Sequence, residues 1–195
     1  MEIVLIRHGL PKIDTSKKLG ASDFGKWISQ YDQAGIDLSQ NPTSDVIERV
    51  KSCSFIVCSN LPRSVESAHA LNIETPDIIN NLFRECEMPY ANWNYPKLSI
   101  KSWALLFRIF QLAGYSSNTE TYKDIKKRVT ECTNQLTALS EKHKSVLFVG
   151  HGALLWFIHR QLKSMGWFGP KKSVRQHWEF GVYTQEKIFG NNLNV

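Results

Sequence analysis

The chain predicts an α/β fold: a three-layer α/β/α sandwich with a mostly parallel central sheet and helices on both faces. Three observations lead there. Apolar runs such as Ile3–Ile6, Phe55–Val57 and Val146–Val149 are short and continuous rather than alternating, the pattern of strands covered on both sides. Helical patterns follow these runs, and strands alternating with helices give a layered α/β architecture. Finally, each of the three runs leads into Arg or His: Arg7-His8-Gly9, Ser59-Asn60-Leu61-Pro62-Arg63-Ser64 and Gly150-His151-Gly152. In parallel sheets ligands bind beyond the carboxyl ends of the strands.

After the first strand, a polar loop with Pro11, Lys12 and Asp14 precedes a helix expected over 22–34, with Trp27, Ile28 and Tyr31 on one face. A short helix over 43–50 is expected to be capped by Thr43 or Ser44. The second strand feeds a helix over 63–71, with Pro62 in the first-turn position that proline favours. Ile78-Ile79 and Leu82-Phe83 predict a further extended segment that ends at Arg84-Glu85. The pattern then changes character. Trp93, Tyr95, Pro96, Trp103, Phe107 and Phe110 crowd one stretch, read as a helical cap insertion at about 89–118 within a single domain spanning 1–195. A long helix over 119–142 carries Ile125, Val129, Cys132, Leu136 and Leu139 on one side. The third strand leads to a helix over 153–162, and alternation within 178–188 predicts an edge strand.

At 195 residues the chain is long enough to bury a substantial core, and 42% apolar with 22% charged residues is ordinary for a globular protein. The net charge of +6 favours anionic partners without choosing among them. Cys53, Cys58, Cys86 and Cys132 form no metal-like pair, and Cys58 reads as a buried free thiol. The start of the chain enters a strand without a leader pattern, so a cytoplasmic location is expected. The most apolar later window, 103–113, is short of the ~20 residues that cross a bilayer, and no membrane partner is expected.

The strand-end residues suit phosphate chemistry. A phosphoryl group spreads negative charge over three oxygens, so catalysis is mostly positioning and electrostatic stabilisation. Arginine offers bidentate, charge-assisted hydrogen bonds. Histidine can attack phosphorus, and a carboxylic acid can protonate the leaving alcohol and then activate water. Arg7, Arg63, His8, His151 and a glutamate would form a set that needs neither metal nor cofactor.

At these residues the sequence resembles the histidine phosphatase superfamily, with its phosphoglycerate-mutase-like fold. Arg7-His8-Gly9 is similar to the signature in which the histidine becomes phosphorylated; Ser59-x-x-x-Arg63-Ser64 is similar to the second motif. Phe83-Arg84-Glu85 resembles the stretch that supplies the proton donor, and Val149-Gly150-His151-Gly152 the motif of the second phosphate-binding histidine. The resemblance implies His8 as nucleophile, Glu85 as acid and base, and Arg7, Arg63 and His151 as phosphate ligands. Glu87 and Glu120 stand as rival carboxyl groups. It further implies a phosphomonoesterase for a small phosphorylated substrate; a binding or scaffold module and a phosphomutase are the alternatives.

Other residues read as structural. His69, His143, His159 and His177 are expected in structural or surface positions, with His159 and Arg160 on a wet helix face. Glycines on both sides of His151 suggest close backbone approach to a ligand. The 93–110 aromatics read as packing, with Tyr90, Trp93 or Tyr95 as possible pocket walls. Lys171, Lys172 and Arg175 make a small basic patch beside Trp178, but no motif supports nucleic-acid binding.

Overall fold

The computed structural model describes residues 1–186. In chain order the elements are β1 (Glu2–Arg7), β2 (Lys18–Leu19), α1 (Ala21–Gln33), α2 (Ser44–Lys51), β3 (Phe55–Cys58), α3 (Pro62–Ala70) and β4 (Ile78–Ile79). After a 3-10 turn (Asn81–Phe83) come β5 (Leu98–Ser99), α4 (Ile100–Leu112), α5 (Tyr122–His143), β6 (Ser145–Gly150), α6 (Gly152–Ser164) and β7 (Phe180–Thr184).

The main sheet runs β4-β3-β6-β1-β7. β1, β3, β4 and β6 are parallel, and β7 joins β1 antiparallel as the edge strand. The expectation of an edge strand over 178–188 is met by five residues; positions 187 and 188 lie outside the described residues. Along β1, Ile3 and Leu5 enter one core with Phe148, Val129, Leu136, Leu155 and Ile158, under α5 and α6. Val4 and Ile6 enter a second core with Leu147, Val149, Ile56, Val46 and Leu71, under α2 and α3. Both faces are therefore covered, which is why the runs are apolar without alternation.

Register fixes the strand ends. Arg7 pairs with Gly150, and Cys58 with Val149, so β1, β6 and β3 finish at one level. A third core lies apart from the sheet. Phe24 of α1 stacks on Phe107 of α4 at 5.8 Å and on Trp103 at 6.4 Å. The two-stranded β2–β5 ribbon ties the starts of these helices together. This helical layer thus draws on the first loop of the chain as well as on residues beyond 89.

Some local expectations need correction. Thr43 is the N-cap of α2, but neither it nor Ser44 caps through its side chain. The long helix begins at Tyr122 because Thr121 and Asp124 form a reciprocal capping box there. Leu82-Phe83 is not extended: the Asn80 side chain accepts from Leu82 N–H at 2.8 Å and curls the chain into the 3-10 turn. Nor is His159 on a wet face. It is 8% exposed, and its Nδ1 lies 2.8 Å from the Tyr183 hydroxyl, so the edge strand covers it. All four cysteines are free, and Cys58, Cys86 and Cys132 are buried. No helix among the described residues is long and apolar enough to cross a membrane.

Candidate active site

The three strand ends bring their polar residues together. His8 and His151 lie with ring centroids 5.0 Å apart, both essentially buried. His8 follows β1, and its N–H donates to Gly150 O at 3.1 Å. Its ring Nδ1 is 2.7 Å from Gly9 O; a carbonyl only accepts, so Nδ1 carries the proton. That leaves Nε2 as the nitrogen with a free lone pair. Burial, with His151 and Arg63 nearby, holds the His8 imidazole well below its ordinary value and keeps it neutral.

The first turn of α3 is fastened to the same place. Ser64 Oγ accepts from Ser59 N–H at 3.1 Å and donates to Val149 O at 2.7 Å. Ser67 Oγ accepts from Gly9 N–H and donates to Arg63 O. These ties explain why serines sit in the buried face of this helix. Arg63 is wholly buried: its Nη1 donates to Tyr31 O at 2.8 Å and its Nη2 to Asp32 at 3.2 Å, with its guanidinium 4.2 Å from the centre of the Tyr31 ring. Asp32 also faces Arg84 at 3.6 Å. Arg7 bonds through Nη1 to the Arg175 carbonyl.

His151 ends β6. Its Nε2 lies 2.6 Å from Ser59 Oγ. Burial and the Arg63 and Arg7 charges push its imidazole well below the usual value. The two flanking glycines have different reasons. A Cβ on Gly150 would stand 2.5 Å from the Phe148 ring, so this glycine serves packing rather than a ligand. At Gly152 the nearest atom to such a Cβ is Arg7 Cζ at 3.5 Å, so that glycine borders the guanidinium.

Glu85 is brought to the start of α6. Its carboxylate accepts from Ala153 N–H at 3.1 Å, Leu154 N–H at 3.0 Å and Cys86 N–H at 2.9 Å. Burial alone would raise its pKa, but the Arg108 guanidinium and these donors outweigh it, and the group is held ionised below its ordinary value. The rival carboxyls line the same cavity and carry bonds of their own. Glu87 Oε2 accepts from Thr119 Oγ1 and Glu120 N–H, while Glu120 pairs with Arg128 at 2.5 Å.

Among the described residues, five buried side-chain N or O atoms have no hydrogen-bond partner. Three of them are Arg7 Nε, Arg63 Nε and His151 Nδ1. Unpaired buried donors are costly and rare, so three at one site mark a place built for an acceptor. No group of three or more His, Cys, Asp or Glu among the described residues is placed to hold a metal ion.

Beside these groups opens a cavity of about 780 Å³, lined by Arg7, Arg84, Glu85 and Ala153, by residues of α1 and α4, and by Glu87, Glu120 and Arg128. Its wall is not the expected Tyr90, Trp93 or Tyr95. Tyr90 packs against Gly25, and Trp93 and Tyr95 are exposed.

The sequence reading missed several contributors. His177 stands 5.3 Å from His8, ring to ring, and its Nδ1–H donates to His8 O at 2.9 Å. It rides on a strap between α6 and β7, where Glu179 accepts from Arg175 and Gln176 N–H. Trp178 on the same strap covers Gly9, where any Cβ would strike the indole at 2.4 Å; this contact explains the glycine in Arg7-His8-Gly9. Nothing local to the strap's sequence signals these contacts. Tyr31 and Asp32, by contrast, lay on a helix whose apolar face alone had been read.

Buried cations and imidazoles at the carboxyl edge of a parallel sheet, with nitrogens left open, define an α/β protein with a cationic strand-end site. Over residues 3–172 the chain matches the model of the histidine phosphatase superfamily (branch 1), and it belongs to that superfamily. Among solved structures, a Mycobacterium tuberculosis open-reading-frame product aligns with TM-score 0.59 and 15% identity, over 95% of this chain and 92% of that one. A mycobacterial glucosyl-3-phosphoglycerate phosphatase complexed with VO3 aligns at 0.58 and 15%, over 93% and 91%. The phosphoserine phosphatase of Entamoeba histolytica, a mutant holding phosphoserine, aligns at 0.56 and 14%, over 93% and 89%. At such identities the likeness is one of fold. No curated protein matches the chain by sequence.

Proposed function

We propose that this protein is a metal-independent phosphomonoesterase that works through a phosphohistidine on His8, in the cytoplasm, on a small phosphorylated substrate. Four free thiols suit that reducing compartment. The observation that carries the activity is the trio of open donors, Arg7 Nε, Arg63 Nε and His151 Nδ1, beside a neutral histidine. With Ser59 donating to His151 Nε2, the ring proton sits on Nδ1, and all three nitrogens offer N–H to phosphoryl oxygens.

His8 Nε2 attacks phosphorus, the bond to the ester oxygen breaks, and the departing alkoxide takes a proton from Glu85. Water then attacks phosphorus while Glu85 accepts its proton; the bond from phosphorus to Nε2 breaks, its electron pair returns to the imidazole, and phosphate is released. Glu85 is an anion in the free protein, ready for the second step. A bound phosphate raises its proton affinity by like-charge repulsion, which prepares it for the first.

The test is hydrolysis of p-nitrophenyl phosphate with a chelator present, comparing wild type with His8→Ala. Wild type is expected to turn over and to form an acid-labile phosphoenzyme, with His8→Ala slower by at least ~10³-fold, beyond the loss of one oxyanion donor. Equal background rates in both would sink the catalytic reading and leave a phosphate-binding module.

A further inference from the structure

We propose that the substrate is a phosphate monoester whose alcohol carries an extended hydrocarbon body, with the chain leaving the site along α4. This rests on the phosphatase reading and names its substrate class.

Beyond Arg7 and Glu85 the cavity is lined by Phe24, Trp27 and Ile28 of α1 and by Ile100, Ala104 and Leu105 of α4. Glu87, Arg108, Glu120 and Arg128 also line it, but they are already bonded to one another, to Thr119 or to backbone groups. At about 780 Å³ it is far larger than a phosphoryl group with a three-carbon alcohol would need. A sugar body would place several hydroxyls against the apolar α1 and α4 side chains, which offer them no partners, while Glu87, Arg108, Glu120 and Arg128 are already bonded. Buried hydroxyls without partners are disfavoured, whereas CH₂ groups are welcome there.

The apolar wall does not end at the rim. Leu105 lines the cavity yet is 66% exposed, and Ile109 and Leu112, 52% and 48% exposed, follow it at i+4 and i+7 on the same helix face. A soluble helix ordinarily turns such a stripe inward. Here the inward face is taken by Trp103 and Phe107, and the outward stripe is an unbroken continuation of the cavity wall. A chain too long for the cavity therefore has an apolar track to follow while its phosphoester end is delivered to His8.

The experiment has two arms. In the first, ethyl, butyl, octyl and dodecyl phosphate, below their micelle concentrations, are titrated calorimetrically into the His8→Ala protein, with glucose 6-phosphate for comparison. Affinity is expected to rise two- to fourfold per CH₂ up to about octyl and more gently beyond, with glucose 6-phosphate weakest. In the second arm kcat/KM is measured with wild type, Leu105→Asp and Ile109→Asp. Leu105→Asp should lose about tenfold more on octyl and dodecyl phosphate than on ethyl phosphate, and Ile109→Asp should lose on dodecyl phosphate alone.

Affinity that ignores chain length, or a preference for glucose 6-phosphate, would overturn the substrate class. Naphthyl phosphate binding as tightly as dodecyl phosphate, with Ile109→Asp silent, would overturn the track along α4. Length-dependent binding without turnover by wild type would support this inference and sink the catalytic one, so the two failures are distinguishable.

Discussion

The strand-end cradle and the α1–α4 layer solve opposite problems. Around His8 and His151 the side chains are buried and polar, and donors are left open. Around Leu105 and Ile109 they are apolar and left wet. Each region departs from the rule that burial matches polarity, and each departure is offset only by something bound. The cradle costs stability in the empty protein, because every unpaired buried donor is worth ~1–3 kcal/mol. It lies on strands and a fastened helix turn, which hold those donors still. The helical layer is held by aromatic stacking and a two-residue ribbon, and it touches the cradle through Tyr31 and Asp32 of α1, which hold Arg63. In the proposed reading, reaction chemistry and substrate choice are carried by different cores.

If that division is right, changes in the cradle should cost rate with any ester. The largest after His8→Ala is expected for Glu85→Gln, about 10²–10⁴ in kcat for an alkyl phosphate, the range for a positioned proton donor. The loss should shrink sharply with p-nitrophenyl phosphate, whose leaving group needs no proton. An equal loss on both esters would mean that Glu85 serves only to cap α6, where it accepts from Ala153 and Leu154. Next comes Arg63→Lys, expected to lose ~10²–10³ in kcat/KM despite keeping its charge. Three directions are used at once by that guanidinium: Tyr31 O, Asp32 and the open Nε. A lysine ammonium reaches one of them. Near-wild-type turnover would refute the fork.

The cradle was far easier to read in the sequence than the cap. His8, Arg63 and His151 each follow a continuous apolar run, and chain order along parallel strands translates directly into spatial adjacency. The register of Arg7 with Gly150 and of Cys58 with Val149 is what that pattern demands. Glu85 was readable only through its motif, since the extended segment supposed to carry it is a 3-10 turn set by the Asn80 side chain. The cavity wall was not readable at all. It pairs α1 with α4 across some eighty positions, and an amphipathic pattern states that a helix has a partner without saying which. The same silence hid His159, whose cover arrives with the edge strand, and His177, which reaches His8 from 169 positions away.

A smaller effect separates the two regions by pH. His8 and His151 are held neutral in the fold, while unfolded imidazoles gain protons below about 6.5. The unfolded state then binds more protons, so stability is full above that pH and falls as pH drops toward the depressed folded values. Glu85, also depressed, adds to the loss at lower pH still. The melting temperature should fall from pH 7 to pH 5, and inorganic phosphate, which binds only the folded cradle, should raise it. The double variant His8→Asn, His151→Asn should flatten the dependence. Trp27→Ala in the helical layer should leave its slope unchanged. A slope that the double variant fails to alter would place the titrating groups elsewhere.

The smallest expected effect concerns the strap, which belongs to neither region yet touches the cradle. His177 Nδ1–H donates to His8 O, and the pair of rings is otherwise separated by 5.3 Å, so the contact acts on the backbone of the nucleophile rather than on phosphate. One such bond is worth ~0.5–1.5 kcal/mol net, or about two- to tenfold in rate if all of it serves to place the imidazole. His177→Ala should lose that much in kcat with little change in KM, because the proposed phosphate ligands Arg7, Arg63 and His151 are left in place. His177→Asn, whose amide can donate from nearly the same position as Nδ1, should recover most of it. A variant pair in which alanine and asparagine are equally active would show that the strap merely covers Gly9, and the contact of Trp178 with that glycine would then be the strap's whole contribution.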